Sequence, residues 1–290
     1  MSRKIRPNRL RKVICMITNE EFRKLQLTQL EIMDEVHRIC MHNNIDYYMI
    51  GGTALGAVRH KGFIPWDLDI DIAMKRADYD QFKSVCKTEL NERFIYRDYT
   101  NTHNYDHPHA LICIKNTVLV NKFDKFNPDF ENLGIYLDVF PLDNAPEDEV
   151  LQRKQTEDLT RIKKIKQYKV AMCYFDNPIK NFVKKFVSKM IFWTSIDKLN
   201  VDMDKCMRRY NQEDTGYLCS MASHYSYKKQ FMAQDIYGTP QLMVFEDRRY
   251  YCPEKVDDYL KKIYGDYMKL PPESEREANL SVFEKVVFDT

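Results

Sequence analysis

Apolar residues recur at helical spacing after residue 18, at Leu30, Met33, Val36 and Cys40, which predicts an amphipathic helix with one buried face. Thr18 followed by Glu21 fits a capping box and marks its start; Asn43-Asn44 marks its end. The period then shortens. IDYYMI (45–50) reads as a short strand stopping at Gly51-Gly52, TALGAVRH (53–60) as a short helix, and KGFIP as a turn in which Pro65 keeps Ile64 extended. WDLDIDIAM (66–74) alternates strictly between polar and apolar, the pattern of a strand. Residues 76–90 read as a helix, and 93–99, 110–114, 117–123 and 134–142 as further strands. From residue 146 the pattern turns helical, over 146–170 and 178–213, followed by a mixed segment (217–252) and a last helix running into YGDYMKLPP (264–272). The expected fold class is α+β. A mixed sheet flanked by helices forms a catalytic core over 17–145, a mostly helical C-terminal region (146–290) packs on it, and residues 1–16 form a basic arm.

Composition narrows the function. The chain has 290 residues, enough to bury a core without staples, and its formal net charge of +2 argues against a dedicated nucleic-acid binder. Eight cysteines are scattered with no C-x-x-C pair, as expected for reduced thiols in a reducing compartment. The basic N-terminus lacks the apolar run of a signal peptide and no stretch is apolar enough to span a bilayer, so the expected address is the cytoplasm. Residues 161–190 hold nine lysines and arginines against one acid, Asp176. They read either as a solvated helix with a core-facing stripe or, with FVKKFVSKMIFW, as an interfacial helix that brings the protein to anionic lipid at the inner membrane face.

Asp67, Asp69 and Asp71 occupy alternate positions and so share one face of an extended segment, with Leu68, Ile70 and Ile72 on the other. Carboxylates about 7 Å apart repel by roughly 2–2.5 kcal/mol at an effective dielectric near 20. Solvation, protonation or a bound cation can offset this. Mg2+, or Mn2+ in its place, favours carboxylate oxygens and leaves room for substrate phosphates; one or two such ions are expected. A solvated acidic edge strand is the plainer reading. Against it stands the segment just upstream, where Gly51 and Gly52 lie between a strand and a helix, a turn that lets backbone N–H groups approach an anion.

The stretch 51–82, GGTALGAVRHKGFIPWDLDIDIAMKRADYDQF, resembles the signature of the LicD family and the related fukutin catalytic domains. The resemblance continues in KNT (115–117), GIYLDVFPLD (134–143), FED (245–247) and YGDYMKLPP. It implies a nucleotidyltransferase-like fold. It also implies transfer of phosphocholine or another phospho-alcohol from a CDP-linked donor to a hydroxyl of a glycan precursor, lipid-linked in many cases, with release of CMP. By that resemblance Asp67, Asp69 and Asp71 are the catalytic acids, Asp69 and Asp71 hold the metal, and Asp138 is a further metal ligand or the base. Where many members read WDDDID this chain has Leu68. Gly51, Gly52, Thr53, Arg59, His60 and Lys115 are candidate donor-phosphate contacts, and Glu246 is a candidate acceptor contact or further ligand. The alternative enzyme is a nucleotidyltransferase that releases pyrophosphate; a non-catalytic binding module is a third reading. Trp66 is expected in the core, Asp143 in a turn, and His103, His107 and His109 in an exposed loop, with a zinc site as the other reading.

Overall fold

The computed structural model describes residues 17–121, 132–170, 193–274, 276 and 282–288. The basic arm and the FVKKFVSKMIF stretch lie outside these residues. Helix α1 (Asn19–Asn43) begins at the expected capping box: Thr18 accepts from the Glu21 backbone and the Glu21 side chain reaches back. It ends at Asn44, which adopts the left-handed conformation (φ 52°) and closes the last turn. Strand β1 (Tyr48–Met49) leads into helix α2 (Gly51–Arg59), then strand β2 (Asp71–Lys75), helix α3 (Arg76–Glu89) and strands β3 (Phe94–Arg97), β4 (Ala110–Ile114), β5 (Val118–Asn121) and β6 (Tyr136–Asn144). The main sheet runs β1-β2-β6-β4-β3. Within it β2 and β6 are parallel and the other neighbours antiparallel, so the sheet is mixed, as the alternating segments predict.

Beyond residue 146 the architecture is more varied than a helical half. Helix α4 (Glu149–Val170) packs on α5 (Ile196–Met207), but strands β7 (Tyr217–Cys219) and β8 (Phe231–Ala233) extend the main sheet from the far end of β6. Two single turns, α6 (Tyr227–Gln230) and α7 (Gln234–Tyr237), flank β8. A hairpin of β9 (Gln241–Phe245) and β10 (Arg248–Cys252), helix α8 (Val256–Tyr264) and strand β11 (Phe283–Val287), paired with β5, complete the described chain. One apolar core runs through both parts, from Leu25 and Met33 on α1 through Ile72 and Val139 to Tyr237, Tyr259 and Leu260.

Asp143 is not a turn residue. It lies fully buried in β6, where it takes both Nε and Nη2 of the buried Arg76 (2.7 and 2.6 Å) and Nδ2 of Asn211 (2.6 Å). Arg76 also reaches Asp204 (3.2 Å), and breaking so buried a network is costly because a charge loses its main partner. The pair therefore ties α3 to the C-terminal part of β6.

Candidate active site

The expected strand 66–74 forms later than its pattern suggests. The ladder begins at Asp71, so Asp67 and Asp69 lie in the extended segment ahead of it. That segment is fixed by two buried glutamines of α1. Gln26 Nε2 donates to the Asp67 carbonyl (3.0 Å) and Gln29 Nε2 to those of Leu68 (3.1 Å) and Tyr136 (3.3 Å). These side-chain bonds replace the ladder bonds that the segment lacks. Nothing local in the sequence marks Gln26 and Gln29, because their partners lie about forty or more residues away.

Asp71 is the register partner of Asp138 on parallel β2 and β6. The Asp71 N–H donates to Thr53 Oγ1 (2.8 Å), and the Asp138 N–H to the Ile70 carbonyl (3.0 Å). Asp69, Asp71 and Asp138 bring carboxylate oxygens within 4.8 Å of one another. They line a cleft of about 460 Å³ with Asp67, Gly51 and Gly52. The glycines are required there. A Cβ on Gly52 would stand 2.3 Å from Asp67 Oδ2, and Gly51 has φ +55°, a conformation that favours glycine. The Gly51 N–H donates to the Tyr259 hydroxyl (2.9 Å).

The electrostatics follow from crowding four acids into one cleft, Asp138 buried and Asp67, Asp69 and Asp71 partly so. Burial, and then Asp69, push Asp67 up to about 8. Burial, and then Asp138, push Asp69 up to about 7. Asp138 rises to about 7 through burial, and Asp71 rises well above the usual carboxylate range through burial and its three acidic neighbours. Such a cluster suits a divalent cation: three hard oxygen donors converge on one point, and each is strained toward protonation without a positive charge between them. His109 Nε2 lies 2.5 Å from Asp138 Oδ1, and burial drives the imidazole down to about 3, so the ring is neutral. His107, His109 and Asp138 bring ligand atoms equally close, a second and softer donor set that shares Asp138.

The histidine loop is therefore not a uniformly exposed one. The side chain of His103 is 80% exposed and pairs with Asp197 (2.9 Å), whereas that of His109 is 9% exposed and faces the acids. Sequence reasoning also missed the rest of the wall: Tyr136, Phe140, Ser223, His224, Tyr225, Tyr259 and Tyr264. HPHA ahead of an apolar strand was the one local signal, since it places His109 at the start of β4.

Other candidates lie elsewhere. Arg59 donates to the Tyr267 carbonyl (2.8 Å), fastening the segment after α8; it does not line the cleft, but its charge acts on Asp67 and draws that carboxyl down. His60 packs edge-on against Trp66 (6.0 Å), which is half-buried against the core. Lys115 is exposed at the opposite end of β4 from His109, roughly 20 Å along the strand at about 3.3 Å per residue. Glu246 accepts from Arg23 Nη2 (2.6 Å), Arg23 Nη1 (3.1 Å) and the Phe63 N–H (3.1 Å). It clamps the hairpin tip to α1 and the 61–63 turn, and a Cβ on Gly62 would strike its carboxylate at 2.5 Å.

Converging carboxylates from the parallel strands β2 and β6 and from the extended segment ahead of β2, beside a helix that opens on two glycines, make up a site suited to phosphate esters. The stretch that builds most of it is similar to a known family: residues 44–117 match LicD/FKTN/FKRP, nucleotidyltransferase domain. Over 256 residues it is 27% identical to the lipopolysaccharide cholinephosphotransferase LicD of Haemophilus influenzae, covering 88% of this chain and 94% of that protein. It is also 31% identical to an uncharacterized protein of Rickettsia typhi over 132 residues, covering 46% of this chain and 40% of that protein. With one of Rickettsia prowazekii it shares 44% identity over 101 residues, 28% of this chain and 38% of that protein. No helix among the described residues is long and apolar enough to cross a membrane.

Proposed function

We propose that the protein is a metal-dependent phosphotransferase that moves phosphocholine from a CDP-linked donor to a hydroxyl of a cell-surface glycan such as lipopolysaccharide, releasing CMP. The observation that carries this reading is the convergence of Asp69, Asp71 and Asp138 in the cleft beside Gly51 and Gly52, in a chain related to LicD over most of its length. Asp69, Asp71 and Asp138 would hold Mg2+ or Mn2+, which would supply charge neutralisation at the transferred phosphate. The chain's own groups account for the rest. Thr53 positions Asp71 through the backbone, and neutral His109 holds Asp138 Oδ1. Asp138 is either a third ligand to that cation or, outside its coordination, the base that takes the proton of the acceptor hydroxyl. Tyr136, Tyr225, Tyr264 and Phe140 on the same walls offer aromatic faces to a quaternary ammonium, which favours choline over a polyol.

The test is incubation of the purified chain with Mg2+, a lipopolysaccharide acceptor and either labelled CDP-choline or labelled CTP. CMP release with label on the glycan is the expected result. Pyrophosphate release from CTP, with CDP-choline left intact, would instead establish the nucleotidyltransferase alternative.

A further inference from the structure

Lys163 and Lys166 lie three residues apart on α4 and so on one face, and that face turns inward. Lys166 is 6% exposed; its Nζ donates to Asn200 Oδ1 (2.5 Å), and Asn200 is itself fixed by donating to the Tyr105 carbonyl (2.9 Å). Lys163 Nζ donates to the carbonyls of Met221 (2.8 Å) and Ser223 (3.2 Å). Among the described residues every hydrogen-bond partner of either ammonium is neutral, and neither reaches an ion-pair partner. An ammonium has three N–H donors, so both keep capacity to bind something more. A buried charge without a counter-ion is costly. Lys166, buried, and Lys163, partly buried, line a cavity of about 420 Å³ that shares His109, Phe140, Ser223 and His224 with the acid cleft, and the nearest acids, Asp106 and Asp197, act on Lys166 without contact. Asp106 lines the same cavity without pairing to either lysine. The two spaces share a wall, with four carboxylates lining one and the two lysines lining the other.

We propose that Lys163 and Lys166 form a phosphate subsite beside the carboxylate cleft. Lysine binds phosphate as a point charge, and a cation-holding cleft next to a cationic cavity fits a molecule with more than one phosphate oxygen to place. The place of this subsite in a reaction rests on the phosphotransfer reading above; its existence does not. The phosphate belongs either to the nucleotide that leaves or to a phosphorylated acceptor.

The test uses the full chain in EDTA, so that no metal bridges an anion to the acids. Calorimetric titrations with CMP and with glucosamine 6-phosphate are compared for the wild type, Lys166→Met, Lys163→Met and Lys166→Arg. At least one probe is expected to bind the wild type and to bind Lys166→Met roughly tenfold to a hundredfold more weakly, about 1.4–2.8 kcal/mol, with partial recovery in Lys166→Arg. Loss confined to CMP assigns the subsite to the leaving nucleotide, and loss confined to the sugar phosphate assigns it to the acceptor. Unchanged affinity for both probes in a folded Lys166→Met protein overturns the subsite, as does a wild type that binds neither. If Lys166→Met does not fold, Lys163→Met is read by the same criterion. A failure to turn over CDP-choline would remove the proposed function and leave this binding result standing.

Discussion

Asp71 and Asp138 sit opposite each other as register partners on the parallel strands β2 and β6, with Asp69 completing a ring of oxygens within 4.8 Å. Two acids so placed gain nothing from each other in the fold. Asp71→Asn should therefore raise the melting temperature in EDTA, because the fold no longer has to hold that carboxyl protonated or charged among its acidic neighbours. With Mg2+ and donor it should cut turnover by roughly a hundredfold to ten-thousandfold, the range for loss of a positioned catalytic group. A melt in EDTA beside a CMP-release assay measures both; retained turnover would separate these acids from catalysis.

Metal should stabilise the wild type and not that variant. Mass action predicts about 2.7 kcal/mol at a hundred times the dissociation constant. A Mg2+ or Mn2+ titration followed by thermal melting reads it directly, and equal shifts in Asp71→Asn would place the cation elsewhere.

The pH dependence of the metal-free protein has a definite sign. Carboxyls held at about 7 to 8 in the folded chain ionise near 4 when unfolded. The folded state then binds more protons, and stability falls as pH rises through 7 and 8. His109, pushed down to about 3, acts oppositely, but only below its unfolded value near 6.5. Between pH 6.5 and 8 the acids dominate, and the melting temperature in EDTA should drop by several degrees, with Mg2+ reducing the drop. A flat profile in EDTA would contradict the burial of these groups.

Gly52→Ala places a methyl group 2.3 Å from Asp67 Oδ2, so Asp67 must move. The expected outcome is a loss of turnover of tenfold or more, on the order of 1.4 kcal/mol or greater, visible in kcat for CMP release. Unchanged kcat would show that Asp67 has no fixed role.

Glu246 and Asp143 should behave as structural acids. Glu246→Ala leaves the Phe63 N–H without its side-chain acceptor and Arg23 with Gln26 Oε1 alone, costing about 1 kcal/mol at a partly exposed site. Asp143→Ala removes the bidentate partner of the buried Arg76 and leaves it Asp204 alone (3.2 Å), which should cost up to roughly 3 kcal/mol. Urea melts measure both losses. The KM for donor should stay at the wild-type value in Glu246→Ala; a raised KM would bring Glu246 back toward the substrate.

The amino-acid sequence alone determined the local features. Thr18 and Glu21 carry the capping box within four residues, the helix ends at Asn43-Asn44, and alternation at 66–74 sets three acids to one side and Ile70 and Ile72 to the other. Each rests on neighbouring side chains and short-range sterics, which are readable in a single pass along the chain. Tertiary structure decided which of these features meet. Asp138 joins Asp69 and Asp71 because β6 pairs in parallel with β2, a register fixed by the whole sheet. Gln26 and Gln29 hold the acidic segment from α1, His109 arrives at the end of β4, and Lys163 and Lys166 turn inward because α5 and the 221–224 segment receive them. Arg59, Lys115 and Glu246, candidates by motif, sit at a chain clamp beside Asp67, at the far end of β4 and at a hairpin tie. Convergence across a hundred residues depends on packing, and packing is a property of the folded chain as a whole.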